Sequence, residues 1–168
     1  MPALVISCIS DMKNRLILLI AASFLLAACQ FTEHRLSRRA QELCRYVPVP
    51  EQLEISRNCL TPEFYAALDT MFNLPDTSDI LHEWEFWFCA ADGSPISRCS
   101  VNVQSVQCTD DCHAVAVIAV QPEDQEYESE QHTLIMQRAV DGWLLADFDD
   151  RFADCIRYTQ NARKLTGQ

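Results

Sequence analysis

The chain has 168 residues, 49% of them hydrophobic, with 24 acidic and 13 basic side chains and a formal charge of −11. That length suits one domain, the hydrophobic fraction excludes a wholly disordered chain, and three glycines exclude collagen-like or Gly-rich architectures. So acidic a chain lacks the basic footprint of generic nucleic-acid binding, and nine cysteines are too many for a small cytosolic protein without a metal or redox role.

Residues Leu16–Ala28, LILLIAASFLLAA, are thirteen apolar or small residues with one serine. The run is shorter than the ~20 residues of a membrane span and fits a signal-peptide core, with Lys13 and Arg15 as its positive flank. Residues 1–11 are apolar and end in an acid, so Met12 is the better start. Leu26-Ala27-Ala28-Cys29 follows directly and resembles a bacterial lipobox. The resemblance implies a signal peptide over 1–28, diacylglycerol on the Cys29 thiol and cleavage before Cys29. It also implies acylation of the new amino terminus by a fatty acid such as palmitate. A lipidated tether over 29–31 would then precede a single domain over 32–168. Several acyl chains anchor stably where one alone is marginal. Gln30 after the cysteine, rather than Asp, implies the outer membrane, with the domain facing the periplasm.

Thr32–Tyr46 reads as a helix, since Leu36, Ala40, Leu43 and Val47 recur at helical spacing and Pro48 and Pro50 stop it. Gln52–Cys59 reads as irregular. Thr61-Pro62-Glu63 opens a second helix with a capping hydroxyl, a first-turn proline and an acid. Phe64, Leu68 and Phe72 form its stripe, and Asn73-Leu74-Pro75 ends it. In Ile80–Ala90, ILHEWEFWFCA, Trp84, Phe86 and Phe88 alternate with Glu83, Glu85, Trp87 and Cys89, which favours a strand over a helix capped by Ser78. Asp92–Pro95 is a turn. Cys99–Cys108 alternates at Val101 and Val103 and then slips to Val106, which predicts a bulge. Thr109–Asp111 connects to a strand over Cys112–Gln121. His132–Val140 is a further strand, Asp141-Gly142 a hairpin turn, Trp143–Phe148 the return strand and Asp149–Lys164 a terminal helix. The expected fold is α+β. Two N-terminal helices pack on a curved antiparallel sheet of about four to five strands, and a C-terminal helix follows.

This order resembles the nuclear-transport-factor-two-like (cystatin-like) cone superfamily, in particular a member domain of unknown function. Leu60–Leu68 (LTPEFYAAL), Trp87–Gly93 (WFCAADG) and Gln137–Phe148 (QRAVDGWLLADF) carry the resemblance, which covers most of residues 32–148. It implies a pocket inside the curved sheet, here lined by Trp84, Phe86 and Phe88. The helix after Phe148 departs from the minimal pattern and would plug or cover the cone. The superfamily includes enzymes, ligand binders and adaptors, so the fold does not select the function.

Beyond Cys29, seven cysteines follow: Cys44, Cys59, Cys89, Cys99, Cys108, Cys112 and Cys155. An exported chain meets an oxidising compartment, so disulfides are the default. Cys108 and Cys112 are expected to face each other across a three-residue turn, and Cys89 and Cys99 to flank the turn containing Pro95. A bond from Cys155 to Cys44 or Cys59 would tie the terminal helix to the N-terminal region and leave one thiol over. The competing reading is zinc on Cys108-Thr-Asp-Asp-Cys112-His113. No second half-site matches, so neither a metal nor another cofactor is expected.

No Gly-x-Ser-x-Gly, Gly-rich phosphate loop or His-Glu-x-x-His occurs, so no catalytic residue is assigned and the four histidines are read as isolated surface or edge positions. Between Tyr46 and Asp150 there are 20 acids and three bases, and Glu123–Glu130 (EDQEYESE) holds five of the acids: Glu123, Asp124, Glu126, Glu128 and Glu130. Such a field steers a cationic partner. The expected function is a non-enzymatic, lipid-anchored binding domain, in its sharper form an immunity or inhibitor protein against a basic periplasmic toxin or cell-wall hydrolase. The alternatives are a small hydrolase or isomerase using the cone pocket, and a structural envelope accessory.

Overall fold

The computed structural model describes residues 32–74 and 86–166. The signal-peptide and lipobox expectations, Cys29, and Trp84 with most of the predicted aromatic strand lie outside the described residues. The chain divides after Leu36, and residues 37–168 form one compact unit.

Helix α1 covers residues 32–44. Its Ala40, Leu43 and Cys44 are buried, as the spacing requires. Arg39 Nε donates to the Trp143 carbonyl at 2.8 Å, and Gln41 Nε2 donates to the Val101 carbonyl at 3.1 Å. The stretch expected to be irregular is instead turned throughout. Two 3-10 turns, Pro50–Gln52 and Arg57–Cys59, flank a one-turn helix α2, Leu53–Ser56. Pro50 presets the first turn, and Leu53 and Ser56 are buried, so burial rather than propensity holds the segment.

Helix α3 is Pro62–Phe72. Thr61 Oγ1 accepts the Phe64 N–H at 3.3 Å, the N-cap bond that the Thr-Pro-Glu start predicts. Phe64, Leu68 and Met71 are its buried face. Helix α4 is Arg151–Thr166 and packs against α3, where the Phe64 and Phe152 rings meet edge-on at 6.0 Å. Asp147 Oδ1 accepts the N–H groups of Phe148 and Phe152 at 2.7 and 2.9 Å, satisfying a donor in the first turn of α4.

The sheet has four antiparallel strands in sequence order: β1 Ser100–Cys108, β2 His113–Gln121, β3 Glu130–Ala139 and β4 Gly142–Phe148. The α+β class, the antiparallel sheet and the C-terminal helix agree with the expected fold. β2 alternates throughout, with Ala114, Ala116, Ile118 and Val120 fully buried. The bulge expected in β1 falls between Val103 and Ser105. A second register shift, between Ile135 and Met136 of β3, brings Leu145 and Phe148 of β4 onto the core face although they are three residues apart. Gly142 opens β4 at φ 135, a backbone that β-branched or bulky residues rarely adopt.

The strand expected over Ile80–Ala90 fails where it is described. Residues 86–88 turn, and only Cys89 makes a single bridge, to Pro95. Trp87 explains this. Its ring packs edge-on to Tyr158 at 5.4 Å and under the Arg151 guanidinium at 5.0 Å, so α4 holds the segment in a turn. The strand expected over Cys112–Gln121 begins one residue later, because the Cys112 and His113 N–H groups are both taken by Asp110 Oδ1 at 2.7 Å.

Candidate functional site

Glu123, Asp124, Glu126 and Glu128 are exposed in the β2–β3 connection, and Glu130 opens β3. The connection is ordered from within. Glu126 N–H donates to Asp124 Oδ1 at 3.0 Å, Gln121 Nε2 donates to the Tyr127 carbonyl at 3.0 Å, and Ser129 Oγ donates to the Val120 carbonyl at 3.2 Å. It is also tied from outside, since the Asp124 N–H donates to Asp92 Oδ2 at 2.9 Å. Asp92 Oδ1 meanwhile accepts the Ser94 N–H and hydroxyl. These donors hold the Asp92 carboxyl below the usual aspartate range. The 91–94 turn therefore joins the acidic connection, a partner that the one-dimensional reading of Glu123–Glu130 does not contain.

Two aromatic residues stand out from this region: Phe86 is 70% exposed and Tyr127 46%. A hollow of about 460 Å³ is lined by Phe86, Cys89, Ala90, Asp92, Gly93 and Glu130. Of the three residues expected to line a cone pocket, Phe86 borders this outer hollow. Phe88 does not line an open pocket. It is 1% exposed and packs on Phe148 at 6.0 Å between centroids, so it is core. The expected same-face alternation of Phe86 and Phe88 is lost because the turn sends them to opposite environments.

No disulfide links two cysteines among the described residues. Cys108 pairs in register with Ala114, not with Cys112, which sits in the turn and gives its carbonyl to the Arg138 N–H at 2.7 Å. The expectation that Cys108 and Cys112 oppose each other across the hairpin is thus corrected: the connection is longer than three residues by the carboxylate-capped turn at Asp110. Cys89 opposes Pro95, and Cys99 Sγ lies 3.5 Å from the Pro95 carbonyl and 3.2 Å from Ser94 Oγ. Cys44 and Cys155 are buried on α1 and α4, and Cys59 is half-buried. Burial pushes the Cys44 and Cys155 thiols up to about 12. Among the described residues no group of three His, Cys, Asp or Glu is placed to hold a metal. His113 Nδ1 is engaged by Asp110 at 2.9 Å.

His132 is where the sequence reading missed a constellation. Its side chain is 11% exposed, and its Nδ1 lies 2.7 Å from Asp149 Oδ2. Its ring stacks on Phe148 at 5.2 Å and 26°. Nε2 is buried without a hydrogen bond, 3.6 Å from Glu130 Oε2. That separation suits an ion pair with an imidazolium but is too long for a hydrogen bond. Asp149 is held in turn: its Oδ1 accepts the Thr133 N–H at 2.7 Å and its N–H donates to the Thr133 carbonyl at 2.9 Å. Asp149 and Asp150 have φ of 51 and 59, a left-handed conformation that aspartate tolerates better than most residues. A signal was present in β3. Glu130, His132, Leu134 and Met136 share one parity, and the last two are core. His132 thus belongs to the core-facing side at the end of the strand, not to a surface position.

Among the described residues no helix is long and apolar enough to cross a membrane. Compared with protein-family models, curated proteins and solved structures, the chain matches none.

Proposed function

We propose that the protein is an outer-membrane lipoprotein, anchored through Cys29 and facing the periplasm, whose non-enzymatic domain binds a cationic protein. Its sharper form is an immunity or inhibitor protein against a basic toxin or cell-wall hydrolase. The observation that carries the reading is the Asp124–Asp92 bond. It gathers the acids at 123–130 and the 91–94 turn beside the exposed Phe86 and Tyr127. Acids around accessible aromatic residues suit a partner presenting Lys or Arg, because the charges steer the encounter and the aromatic faces supply buried contact. Against a cone-pocket enzyme stands Phe88, expected to line an open pocket but 1% exposed and packed on Phe148. The cone-superfamily membership itself belongs to this proposal.

The test uses the full chain in detergent micelles and a basic muramidase as the probe. Binding is measured at about 0.1 M and about 1 M salt, between which the Debye length falls from about 10 Å to about 3 Å. The expected result is saturable binding at low salt that weakens at least tenfold at high salt. Equal affinity at both would remove the electrostatic basis of the reading. Localisation is tested separately, by metabolic labelling with a palmitate analogue: Cys29→Ser is expected to lose the label.

A further inference from the structure

We infer that Glu130, His132 and Asp149 form a proton-coupled latch on the acidic face, in which protonation of His132 draws the Glu130 carboxylate inward and loss of that proton frees it for a partner's ammonium or guanidinium group. The inference rests on the binding reading above. It starts from an imbalance around one imidazole. In the neutral ring, Nδ1–H donates to Asp149 at 2.7 Å. Nε2 is then a bare acceptor, buried without a hydrogen bond and facing a carboxylate oxygen at 3.6 Å. Two electron-rich atoms face each other, and Glu130 also lines the hollow with Phe86 and Asp92. In the protonated ring each nitrogen carries a hydrogen toward a carboxylate. Nε2–H can then close the gap to Glu130, because a charged N–H···O⁻ contact is favoured at about 2.7–2.9 Å.

The surroundings make this a two-position device. Phe148 stacks on one side of the ring, Ile118 lies opposite in the register of β2, and Asp149 is locked by both of its Thr133 bonds. The Glu130 side chain is 37% exposed, against 27% for Asp149 and 11% for His132, so Glu130 is the freest member. Among the described residues the carboxylates within ion-pair distance of the ring are those two. One proton therefore decides whether Glu130 is paired inward or available outward. A cation bound at Glu130 disfavours the imidazolium, and by linkage the proton disfavours the cation. Cation binding should release a proton and should strengthen as pH rises.

The experiment uses the full chain in micelles and an oligolysine peptide as the probe. Histidine Cε1–H resonances are followed by NMR across pH, and peptide affinity is measured at about pH 5.5 and about pH 7.5. In the absence of peptide, the pH response of the His132 resonance is expected to differ between the parent and Glu130→Gln, because the neutral side chain no longer presents a carboxylate to Nε2. The parent should bind peptide about threefold to fivefold more tightly at the higher pH, the worth of one partly exposed ion pair, and His132→Gln should flatten that ratio. An unchanged pH response in Glu130→Gln overturns the latch whatever the peptide does. A changed response with no peptide binding at either pH overturns the binding reading and, with it, the latch's outward role. A changed response with equal pH ratios in the parent and His132→Gln overturns the coupling alone. Glu130→Ala serves where Glu130→Gln fails to fold, with the same expected change.

Discussion

The main-chain N–H of Asp124 donates to the carboxylate of Asp92 across 32 residues of sequence, at 2.9 Å. This one bond converts an acidic loop and a separate turn into a single face. Asp92→Ala is expected to release the 122–129 connection, read as faster amide hydrogen exchange there while β2 and β3 stay protected. The Asp92 carboxyl is held below its usual range by the N–H groups of Asp124 and Ser94 and the Ser94 hydroxyl. Its contribution is therefore present at neutral pH and lost as pH falls through the folded value. The parent and Asp92→Ala should differ in Tm near neutrality and converge in acid. A constant difference down to acid pH would mean that the carboxylate charge is not what holds the turn.

Phe86 and Phe88 are two residues apart and have opposite fates, 70% and 1% exposed. Phe88→Ala should cost about 3–5 kcal/mol in chemical denaturation, by opening a cavity beside Phe148. Phe86→Ala should change stability by less than about 0.5 kcal/mol but weaken partner binding. Equal destabilisation by the two would show that the 86–90 segment carries both rings into the core.

Burial sorts the thiols. At about pH 8, a thiol pushed up to about 12 has roughly one molecule in ten thousand as the reactive thiolate. Exposed Cys108 and Cys112 should therefore alkylate readily in the reduced native chain, while Cys44 and Cys155 react only after unfolding. Peptide mass mapping after a timed iodoacetamide pulse reads this directly. Native labelling of Cys155 at the rate of Cys108 would place α4 in frequent local opening.

Asp147 is half-buried, and desolvation first of all raises its carboxyl above the usual range, with the nearby Asp150 charge adding to it. An acid raised in the folded state holds its proton more tightly there, so its contribution is present at low pH and lost as pH rises through the folded value. Asp147→Asn keeps an oxygen for the Phe148 and Phe152 N–H groups without the charge. It should be at least as stable as the parent at neutral pH. Asp147→Ala removes the acceptor and should cost about 1 kcal/mol, the worth of a helix cap. Thermal melts of the three proteins across pH check both signs.

Most elements were legible because their causes are local. The Thr61 cap and the β3–β4 hairpin each depend on a few adjacent residues: the cap appears where expected, and the turn falls at Val140-Asp141, one residue before the expected Asp141-Gly142. The β1 bulge was visible as a slip in the valine period, and it falls between Val103 and Ser105. The aromatic segment misled, because its period of two is compatible with a strand but does not require one. Trp87, held by Tyr158 and Arg151 of a helix more than 60 residues on, turned it instead. The histidine site was half legible. Strand parity puts His132 with Leu134 and Met136, but nothing near it in sequence names Asp149 as its partner.

The sequence by itself determined the negative field of the central chain, the Thr61 helix cap, and the strands whose side chains alternate. These follow from composition and from periods that each residue expresses with its immediate neighbours. The tertiary structure decided which acids share a face, which phenylalanine is core, and that one histidine lies between two carboxylates. Those outcomes depend on strand register, on two bulges that reset side-chain parity, and on a left-handed turn at Asp149. A shift of one residue in any pairing would send every side chain beyond it to the other face, so only the folded register could place them.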